Sequence, residues 1–487
     1  MSNIFVQQAK AKSNLTTTAN LAKAYKDTLN CNLNFFGKSG TISYSNLVSD
    51  FKEALAEDTD LAIRNLLNTR DIRGGKGIRE NSRSLLRYLV ANNPSLIIES
   101  NLILKFVELG RWDDIFEVLK SNNKQCSNFV INLLTTELSK DEPNKLLCKW
   151  LPRQNKSKIH QKTNFDILPK ILAQRLKITP KEYRKLLVAN TEVVETKMCS
   201  KDWKNITYSF VPSKAMKIYS EAFTRHDTVG FSKYLEKVEK GEEEIKASTL
   251  WPHEVIGAGS SSYSVTTTKT QELQWKALPN FVTSGMNILP MVDLSGSMSC
   301  SSYGNYDCMD IAVALGLYLA QHNNSAYKDL ILSFATNPSF VNVNKPTLEG
   351  NLRAIYKSDV GYSTDLEKAY NLVLNHAVKH KVPQADMPQM LVVFSDMQWN
   401  PSSGGKLHFK NIKKLFESNG YIAPKLVWWN LSTSYDNVPV KFDTDNNALV
   451  SGFSPSILKT LLSDQIESFT PLNVMLEELQ QEKYNWK

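Results

Sequence analysis

The stretch NILPMVDLSGS, residues 287–297, decides the fold of the second half of the chain. It begins as an apolar run of strand length and ends in an aspartate and two serines. Short apolar runs of the same kind recur at 330–335, 390–396 and 425–431, and amphipathic stretches with helical spacing lie between them. Strands that alternate with helices predict a parallel, doubly wound α/β sheet of the Rossmann type, with helices on both faces.

Oxygen-bearing side chains lie at the ends of these predicted strands. The first strand ends in Asp293, which is followed by Ser295 and Ser297, and a later strand is followed by Asp396. Thr364 lies in a loop just before a predicted helix. Ligands of open α/β sheets bind at the carboxyl ends of the strands, so we expect these side chains to meet there. Two carboxylates and three hydroxyls suit a hard cation, and the sequence therefore predicts a site for Mg²⁺ or Mn²⁺.

This arrangement resembles the metal-ion-dependent adhesion site of von Willebrand factor A domains, and the resemblance covers about residues 285–470. Hydroxyl ligands leave the cation with positive charge, so it can accept a further acidic ligand from a protein partner. Many family members have small glycines before the threonine, whereas this chain reads GYSTD over residues 361–365, where Asp365 is expected to cap the next helix. The direct ligands that the resemblance implies are Ser295, Ser297 and Thr364, with Asp293 and Asp396 bound directly or through water.

The first half of the chain has a different pattern. From about residue 44 to 245 it reads as successive amphipathic helices with short polar breaks, which predicts an all-α arc or ring of HEAT-like helical repeats. Residues 247–270 are rich in Gly, Ser and Thr and predict an irregular connection. We expect three parts, namely an N-terminal extension over 1–43, a helical-repeat domain over 44–284, and an α/β domain with a C-terminal helix over 285–487.

Composition limits the class of protein. The chain has 487 residues, of which 42% are hydrophobic and 22% charged, as in ordinary globular proteins of more than one domain. No apolar run reaches the roughly 18 residues of a membrane-spanning helix, and the polar start does not resemble a secretory signal. Six cysteines without a CxxC pair indicate neither a disulfide framework nor a zinc ribbon. We expect a soluble, cytoplasmic protein with no membrane partner.

The net charge of +9 is unevenly distributed. Residues 64–87 contain seven Lys or Arg against two acids, and residues 145–185 contain twelve against two. The glycines and bases of TRDIRGGKG, residues 69–77, precede a predicted helix, where free N–H groups favour a phosphate, although the spacing is not that of a Walker A loop. Other bases lie beside Trp or Tyr, a combination that suits single-stranded RNA. The candidate phosphate contacts are Arg70, Arg73, Lys76, Arg79, Arg111, Lys149, Arg153, Arg184, Lys185 and Lys204.

Structural explanations compete with this interpretation. Aromatic residues at helical spacing are usually core residues, and charged runs are usually solvated faces. The two aspartates of GRWDD, residues 110–114, could pair with Arg111 inside the fold.

Several phrases of the first half resemble the TROVE/Ro ribonucleoprotein family, and most of all its members from plants and large viruses that carry a domain of unknown function. With the adhesion-type domain after them, the resemblance covers nearly the whole chain. It implies a ring of helical repeats closed by the C-terminal domain, with single-stranded RNA ends in a basic hole and structured RNA on the outer surface. The phrases are TRDIRGGKG, GRWDD, KWLPRQ, ITPKEYRKLL, VVETKMCSKDW and FVPSKAMKIYSEAFTRHD.

We therefore expect an RNA-binding, Ro-like ribonucleoprotein component that binds non-coding or misfolded RNA and carries a divalent cation. The alternative is a cation-dependent protein-interaction scaffold that does not bind RNA. The sequence shows no Ser–His–Asp arrangement and no base beside the cation site, so we expect no enzymatic activity.

Overall fold

The structure of the chain is a computed structural model, in which a helical region is followed by a sheet domain. For residues 302–303 and 409–411 it describes the backbone alone. It describes all residues except 1–13, 42–43, 122, 154–164, 166, 192, 258–264, 283–284, 300–301, 304, 335, 359–365, 399–408, 434–436, 464–465 and 467.

The helical region is built from helices that pack against their neighbours in sequence, for example α2 on α3, α10 on α11 and α13 on α14 as bounded below. None of the helices in the described part of the chain is long and apolar enough to cross a membrane. The helices are α1 (Cys31–Lys38), α2 (Leu47–Glu57), α3 (Thr59–Arg70), α4 (Arg79–Asn92), α5 (Pro94–Ile98), α6 (Leu102–Leu109), α7 (Phe116–Leu119), α8 (Lys124–Leu138), α9 (Lys145–Trp150), α10 (Leu168–Arg175), α11 (Pro180–Ala189), α12 (Val194–Cys199), α13 (Ser213–His226), α14 (Thr228–Glu239), α15 (Pro252–Ile256) and α16 (Lys269–Lys276).

Helix α11 illustrates how the sequence fixes these boundaries. The Thr179 hydroxyl accepts a hydrogen bond from the Glu182 N–H, and the Glu182 carboxylate accepts one from the Thr179 N–H, which makes a capping box. Pro180 occupies the first helical position, where its missing N–H has no helical partner to lose. Tyr183 and Leu187, four residues apart, are buried, so α11 packs through one face and exposes the others.

The sheet domain has a six-stranded sheet in the order β10-β9-β8-β3-β6-β7, parallel except for β7. If the six strands of this sheet are renumbered from one to six in chain order, their spatial order is 3-2-1-4-5-6. This is a doubly wound order, in which the chain moves outward from the centre in one direction after β3 and in the other direction after β8. The strands, with an N-terminal pair first, are β1 (Leu15–Thr17), β2 (Lys23–Tyr25), β3 (Ile288–Asp293), β4 (Ser302–Tyr303), β5 (Tyr306–Asp307), β6 (Leu330–Phe334), β7 (Phe340–Asn342), β8 (Met390–Ser395), β9 (Lys425–Asn430) and β10 (Asn447–Ser451). The helices of the domain are α17 (Cys308–His322), α18 (Leu348–Tyr356), α19 (Leu366–His380), α20 (Phe409–Ser418), α21 (Leu458–Leu461) and α22 (Pro471–Leu479).

Strands β3 and β8 are buried at every position because helices cover both faces of the sheet. Alternate residues enter different cores: Val292 and Phe394 pack with α17 and α18, whereas Met291 and Val393 pack with α19 and α20. The predicted order of the two regions, a helical region followed by an α/β domain with parallel strands, is confirmed.

The ends of the chain cross from one region to the other. The Ser451 hydroxyl of β10 donates to the Phe36 carbonyl of α1 at 2.8 Å. Tyr25 and Val438 exchange backbone hydrogen bonds of 2.9 and 2.8 Å, so the N-terminal β1–β2 hairpin also lies on the sheet domain. In the opposite direction, Trp486 is buried in the core of the helical region. Where the structure describes it, the predicted extension therefore contacts both regions: its hairpin lies on the sheet domain, and α1 packs on α2 as well as on β10.

His253, in α15, is buried at the junction of the two regions. Its ring lies 4.9 Å from that of Tyr306 and 5.6 Å from those of Trp251 and Phe453. Its Nδ1 atom has no hydrogen-bond partner among the described residues. Burial lowers the pKa of His253 to about 4, since the charged imidazolium would lose its hydration there.

A His253→Leu variant should resist acid better than the wild type. A histidine in an unfolded chain has a pKa near 6.5, so the unfolded state takes up a proton that the folded state excludes. Stability from this group is present above pH 6.5 and falls as the pH drops toward 4, by about 3 kcal/mol in full. Urea denaturation at pH 7 and pH 4 should show the wild type losing about that much relative to the variant, and equal losses would contradict the assignment.

Candidate cation site

The candidate cation site lies where the direction of the sheet switches. Asp293 is the last residue of β3, and Asp396 directly follows β8, the parallel neighbour of β3. The Ser395 hydroxyl, at the end of β8, donates to Asp293 Oδ2 at 2.6 Å. Parallel pairing of the two strands therefore brings both carboxylates to the same edge, where open α/β sheets bind their ligands.

Two serine hydroxyls complete this part of the site. The Ser295 N–H donates to Asp293 Oδ1 at 2.9 Å, which turns the chain just after β3. The hydroxyls of Ser295 and Ser297 are 3.1 Å apart, and Ser297 also forms a side-chain hydrogen bond with Asp396. The donor set is all oxygen, as Mg²⁺ and Mn²⁺ prefer.

The two carboxylates are buried without a cationic partner. Asp293 is 0% exposed and Asp396 is 8% exposed. Burial, and then the charge of Asp396, raise the pKa of Asp293 to about 7, and burial also raises the pKa of Asp396. No Lys, Arg or His among the described residues forms an ion pair with either. A buried acidic pair without a base is unfavourable, and a divalent cation is the ligand that would neutralise it.

The loop after β8 is strained. Met397, between Asp396 and Gln398, has a φ of +65°, which L residues other than Asn and Asp rarely adopt. The Met397 N–H donates to Ser395 Oγ at 3.0 Å, and the Gln398 N–H donates to Asp396 Oδ1 at 3.1 Å. Strain of this kind, of about 1–3 kcal/mol, concentrates at functional sites.

The structure brings together Asp293, Ser295, Ser297 and Asp396, whereas Thr364 lies outside the described residues. Within the described part of the chain there is no group of three or more His, Cys, Asp or Glu side chains that could hold a metal.

Two further residues, Ser395 and Cys308, lie beside the site. Ser395 was missed from the sequence but could have been found, because it ends the predicted strand directly before Asp396. Cys308, the first residue of α17, is buried nearby, and burial followed by the charges of Asp396, Asp307 and Asp293 raises the pKa of its thiol far above the usual value. Cys308 is therefore a protonated thiol at neutral pH.

Two of the predicted phosphate contacts are wrong. Arg70 is 1% exposed, and its guanidinium lies 2.6 Å from Asp114. Lys76 is 5% exposed, and its ammonium donates to the Ser39 hydroxyl at 2.8 Å and to the Phe36 carbonyl. Neither side chain reaches a ligand outside the protein.

The predicted phosphate loop over residues 69–77 instead makes hydrogen bonds within the helical region and to the sheet domain. The Lys76 N–H donates to the Asn68 carbonyl at 2.9 Å, and the Gly74 N–H donates to the Asp71 carboxylate at 3.0 Å. The Gly75 carbonyl accepts from the Ser456 hydroxyl of the sheet domain at 3.1 Å. These N–H groups are used within the protein, so they do not form the predicted anion site.

The bases near Trp150 are partly paired. The Arg111 guanidinium lies 4.3 Å from the Trp150 ring centroid and 2.7 Å from Asp113. The structural alternative for GRWDD therefore holds for Asp113, whereas the Asp114 carboxylate pairs with Arg70 and Arg83. Lys149 lies 5.8 Å from the Trp150 ring and 3.9 Å from Glu195. Of the remaining candidate phosphate contacts, Arg79 is half-exposed and paired with Glu80. The others are exposed, namely Arg73, Arg153, Arg184, Lys185 and Lys204.

Exposed bases accumulate on the pair of helices α10 and α11. The only acid in the described part of residues 170–185 is Glu182, which is held in its capping box. Lys181, Arg184 and Lys185 are spaced three and four apart and therefore share one face of α11. None of the bases has an ion-pair partner among the described residues. This α10–α11 basic surface consists of Lys170, Arg175, Lys177, Lys181, Arg184 and Lys185.

Comparison with known proteins gives matches without an assigned activity. Residues 287–486 match a family model described as a domain of unknown function, DUF7788, and residues 150–284 match another, DUF2828. The chain is 27% identical over 519 residues to the uncharacterized protein L728 of Acanthamoeba polyphaga mimivirus, covering 96% of this chain and 88% of that protein. Among solved structures it is similar to the Ro (RSR) protein of Deinococcus radiodurans, with 13% identity, a TM-score of 0.33, and coverage of 93% of this chain and 99% of that one. A TM-score of 0.33 is too low to identify either the fold or the function.

Proposed function

We propose that this protein is an RNA-binding protein of the Ro type, in which a sheet domain of the von Willebrand A kind holds a divalent cation. The cation part is carried by one observation: the buried carboxylates of Asp293 and Asp396 lie beside two hydroxyls and have no basic partner among the described residues. Asp293, Ser295, Ser297 and Asp396 would hold Mg²⁺ or Mn²⁺, with Thr364 as a further ligand from the loop before α19.

The role proposed for the cation is binding rather than catalysis. A cation with two carboxylate and several hydroxyl ligands can accept one more anionic oxygen, such as a carboxylate of a protein partner. Cys308, which is buried beside the site, is not suited to act as a general base, because its thiol has a raised pKa.

RNA binding is proposed for the helical region. Residues 44–284 contain 37 Lys or Arg and 29 Asp or Glu, so this region carries +8 of the net charge of +9. The α10–α11 basic surface is an exposed place where six bases face a single acid, Glu182, and none forms an ion pair among the described residues. Such a surface attracts a phosphate backbone and releases its counterions. The proposal includes the architecture of the whole chain, namely a ring of HEAT-like repeats that the sheet domain closes.

Charge reversal on α11 should weaken RNA binding and reduce its salt dependence. The triple variant Lys181→Glu, Arg184→Glu, Lys185→Glu should bind a single-stranded RNA at least about tenfold more weakly, and the slope of log K against log salt should fall by about 2 for three lost phosphate contacts. Gel shifts at several salt concentrations measure both quantities. The matched control reverses Lys233 and Lys237 of α14 and Lys240 directly after it, which are exposed among glutamates.

Equal loss in the α11 and α14 variants would indicate a general charge effect and would contradict a site on α11. If the wild type binds no RNA at low or moderate salt, RNA binding itself is excluded. The alternative, a cation-dependent protein scaffold, then remains. It predicts that partner capture survives nuclease treatment and is lost with a chelator or with Asp293→Ala.

A further inference from the structure

We propose that the N-terminal β1–β2 hairpin contributes to cation binding, and that Gln398 is the positioning residue that couples the hairpin to the cation site. This inference rests on the proposed cation site. Gln398 lies two residues after Asp396, at the end of the strained turn that follows β8. It is 3% exposed, so its side chain is enclosed by protein on nearly all sides.

Gln398 contacts the site and the hairpin at the same time. On the site side, its N–H donates to Asp396 Oδ1 at 3.1 Å, and its Nε2 donates to the Asp396 carbonyl at 3.4 Å. On the hairpin side, its Oε1 accepts from the Ala19 N–H at 2.8 Å, and its carbonyl accepts from Asn20 Nδ2 at 2.5 Å. The orientation of the Asp396 carboxylate is thus linked through one residue to the turn of the hairpin, nearly 380 positions earlier in the chain.

Packing supports the same connection. Ala22 and Ala24 of the hairpin are buried in the cluster that contains Met397 and Leu366. Met397 belongs to the Asp396 turn, and Leu366 begins the helix that follows the predicted Thr364 loop. The hairpin therefore shares one apolar cluster with the Asp396 turn and with the start of α19.

The hairpin is weak enough to respond to the site. Its strands have three residues each, and a two-stranded hairpin of this size is marginal on its own. At its base it is held by the backbone hydrogen bonds between Tyr25 and Val438, and at its turn by Gln398. If docking of the turn favours the cation-binding arrangement of Asp396, linkage requires that the cation tighten docking of the turn by the same factor.

The test is Mn²⁺ affinity of the full chain, measured by titration calorimetry, in variants on both sides of the contact. Gln398→Met keeps the length of the side chain and removes its polar atoms, and Asn20→Ala removes the second hydrogen bond from an exposed position. Each should weaken Mn²⁺ binding, about tenfold for Gln398→Met, in the range seen when groups that orient metal ligands are removed. The double variant should lose less than the sum of the two effects. Thr17→Ala, exposed on β1, is the matched control and should bind as the wild type does.

Hydrogen exchange gives a second readout that a merely structural role would not move. Mn²⁺ should slow exchange of the Ala19 amide in the wild type and in Thr17→Ala, and should have little effect on it in Gln398→Met. If the wild type binds Mn²⁺ and Gln398→Met binds it equally well with unchanged protection of Ala19, the coupling is refuted while the cation site stands. If the wild type binds no Mn²⁺, both the site and the coupling are refuted.

Discussion

Replacement of Asp293 by Asn is expected to abolish the stabilisation of this protein by Mg²⁺ or Mn²⁺ and to raise the stability of the metal-free chain. A ligand at 100 times its Kd stabilises the folded state by about 2.7 kcal/mol, so saturating cation should raise the melting temperature of the wild type by several degrees. Asp293 supplies a buried carboxylate at the centre of the site, and without its charge the cation loses a principal ligand.

The gain without metal has a separate cause. Burial and the neighbouring Asp396 charge raise the pKa of Asp293 to about 7, which means that the folded protein holds this carboxylate at a cost. A neutral Asn removes the repulsion but must fit its amide against the Ser295 N–H and the Ser395 hydroxyl. The net gain in the free energy of unfolding should be about 1–3 kcal/mol at pH 8.

Thermal denaturation with and without Mn²⁺ measures both effects. Asp386→Asn, at an exposed aspartate before β8, is the matched control and should respond to Mn²⁺ like the wild type. An Asp293→Asn variant that is still stabilised by Mn²⁺, or that is less stable than the wild type without metal, would contradict the proposed role of Asp293.

Replacement of Arg70 by Met is expected to cost about 3–5 kcal/mol of stability and to leave RNA binding by the folded protein unchanged. Asp114 is fully buried between Arg70, at 2.6 Å, and Arg83, at 2.8 Å. Without Arg70, one carboxylate oxygen keeps only the N–H of Arg111, at 2.9 Å, in a site that water does not reach.

Urea denaturation gives the stability, and gel shifts below the unfolding transition give the RNA affinity. Arg73→Met in the same segment is the control, because Arg73 is exposed and its removal should change stability by no more than about 0.5 kcal/mol. A parallel loss of RNA affinity in Arg70→Met would show that this motif contacts RNA after all. A loss of stability below about 1 kcal/mol would contradict the buried pair.

The meeting of Asp293 and Asp396 could be predicted from the sequence, because it follows from the pairing of two parallel strands. The apolar runs that end at Asp293 and Asp396 are long and continuous, as buried parallel strands are, and the doubly wound order then places their carboxyl ends together. The short β1–β2 and β4–β5 hairpins and the antiparallel β7 were not predicted, because strands of two or three residues carry little pattern of their own. Contacts distant in sequence, such as that of Gln398 with Ala19, have no local signature.

The segment TRDIRGGKG shows why the RNA prediction was less reliable. A glycine next to bases can serve a phosphate or a close packing contact, and the sequence looks the same in both cases. Here Gly77 has a φ of +70°, and a Cβ there would collide with the Trp251 ring, while a Cβ on Gly75 would collide with the Asn68 carbonyl. The bases of this segment that face inward, Arg70 and Lys76, are part of the same packing.

The central claim, that this edge of the sheet binds a divalent cation, is tested most directly by anomalous diffraction from crystals of the full chain soaked in Mn²⁺. The account predicts one strong anomalous peak enclosed by the carboxylates of Asp293 and Asp396 and the hydroxyls of Ser295 and Ser297, and no such peak in Asp293→Asn. Crystals with no manganese at that position, or with manganese bound only elsewhere on the molecule, would contradict it.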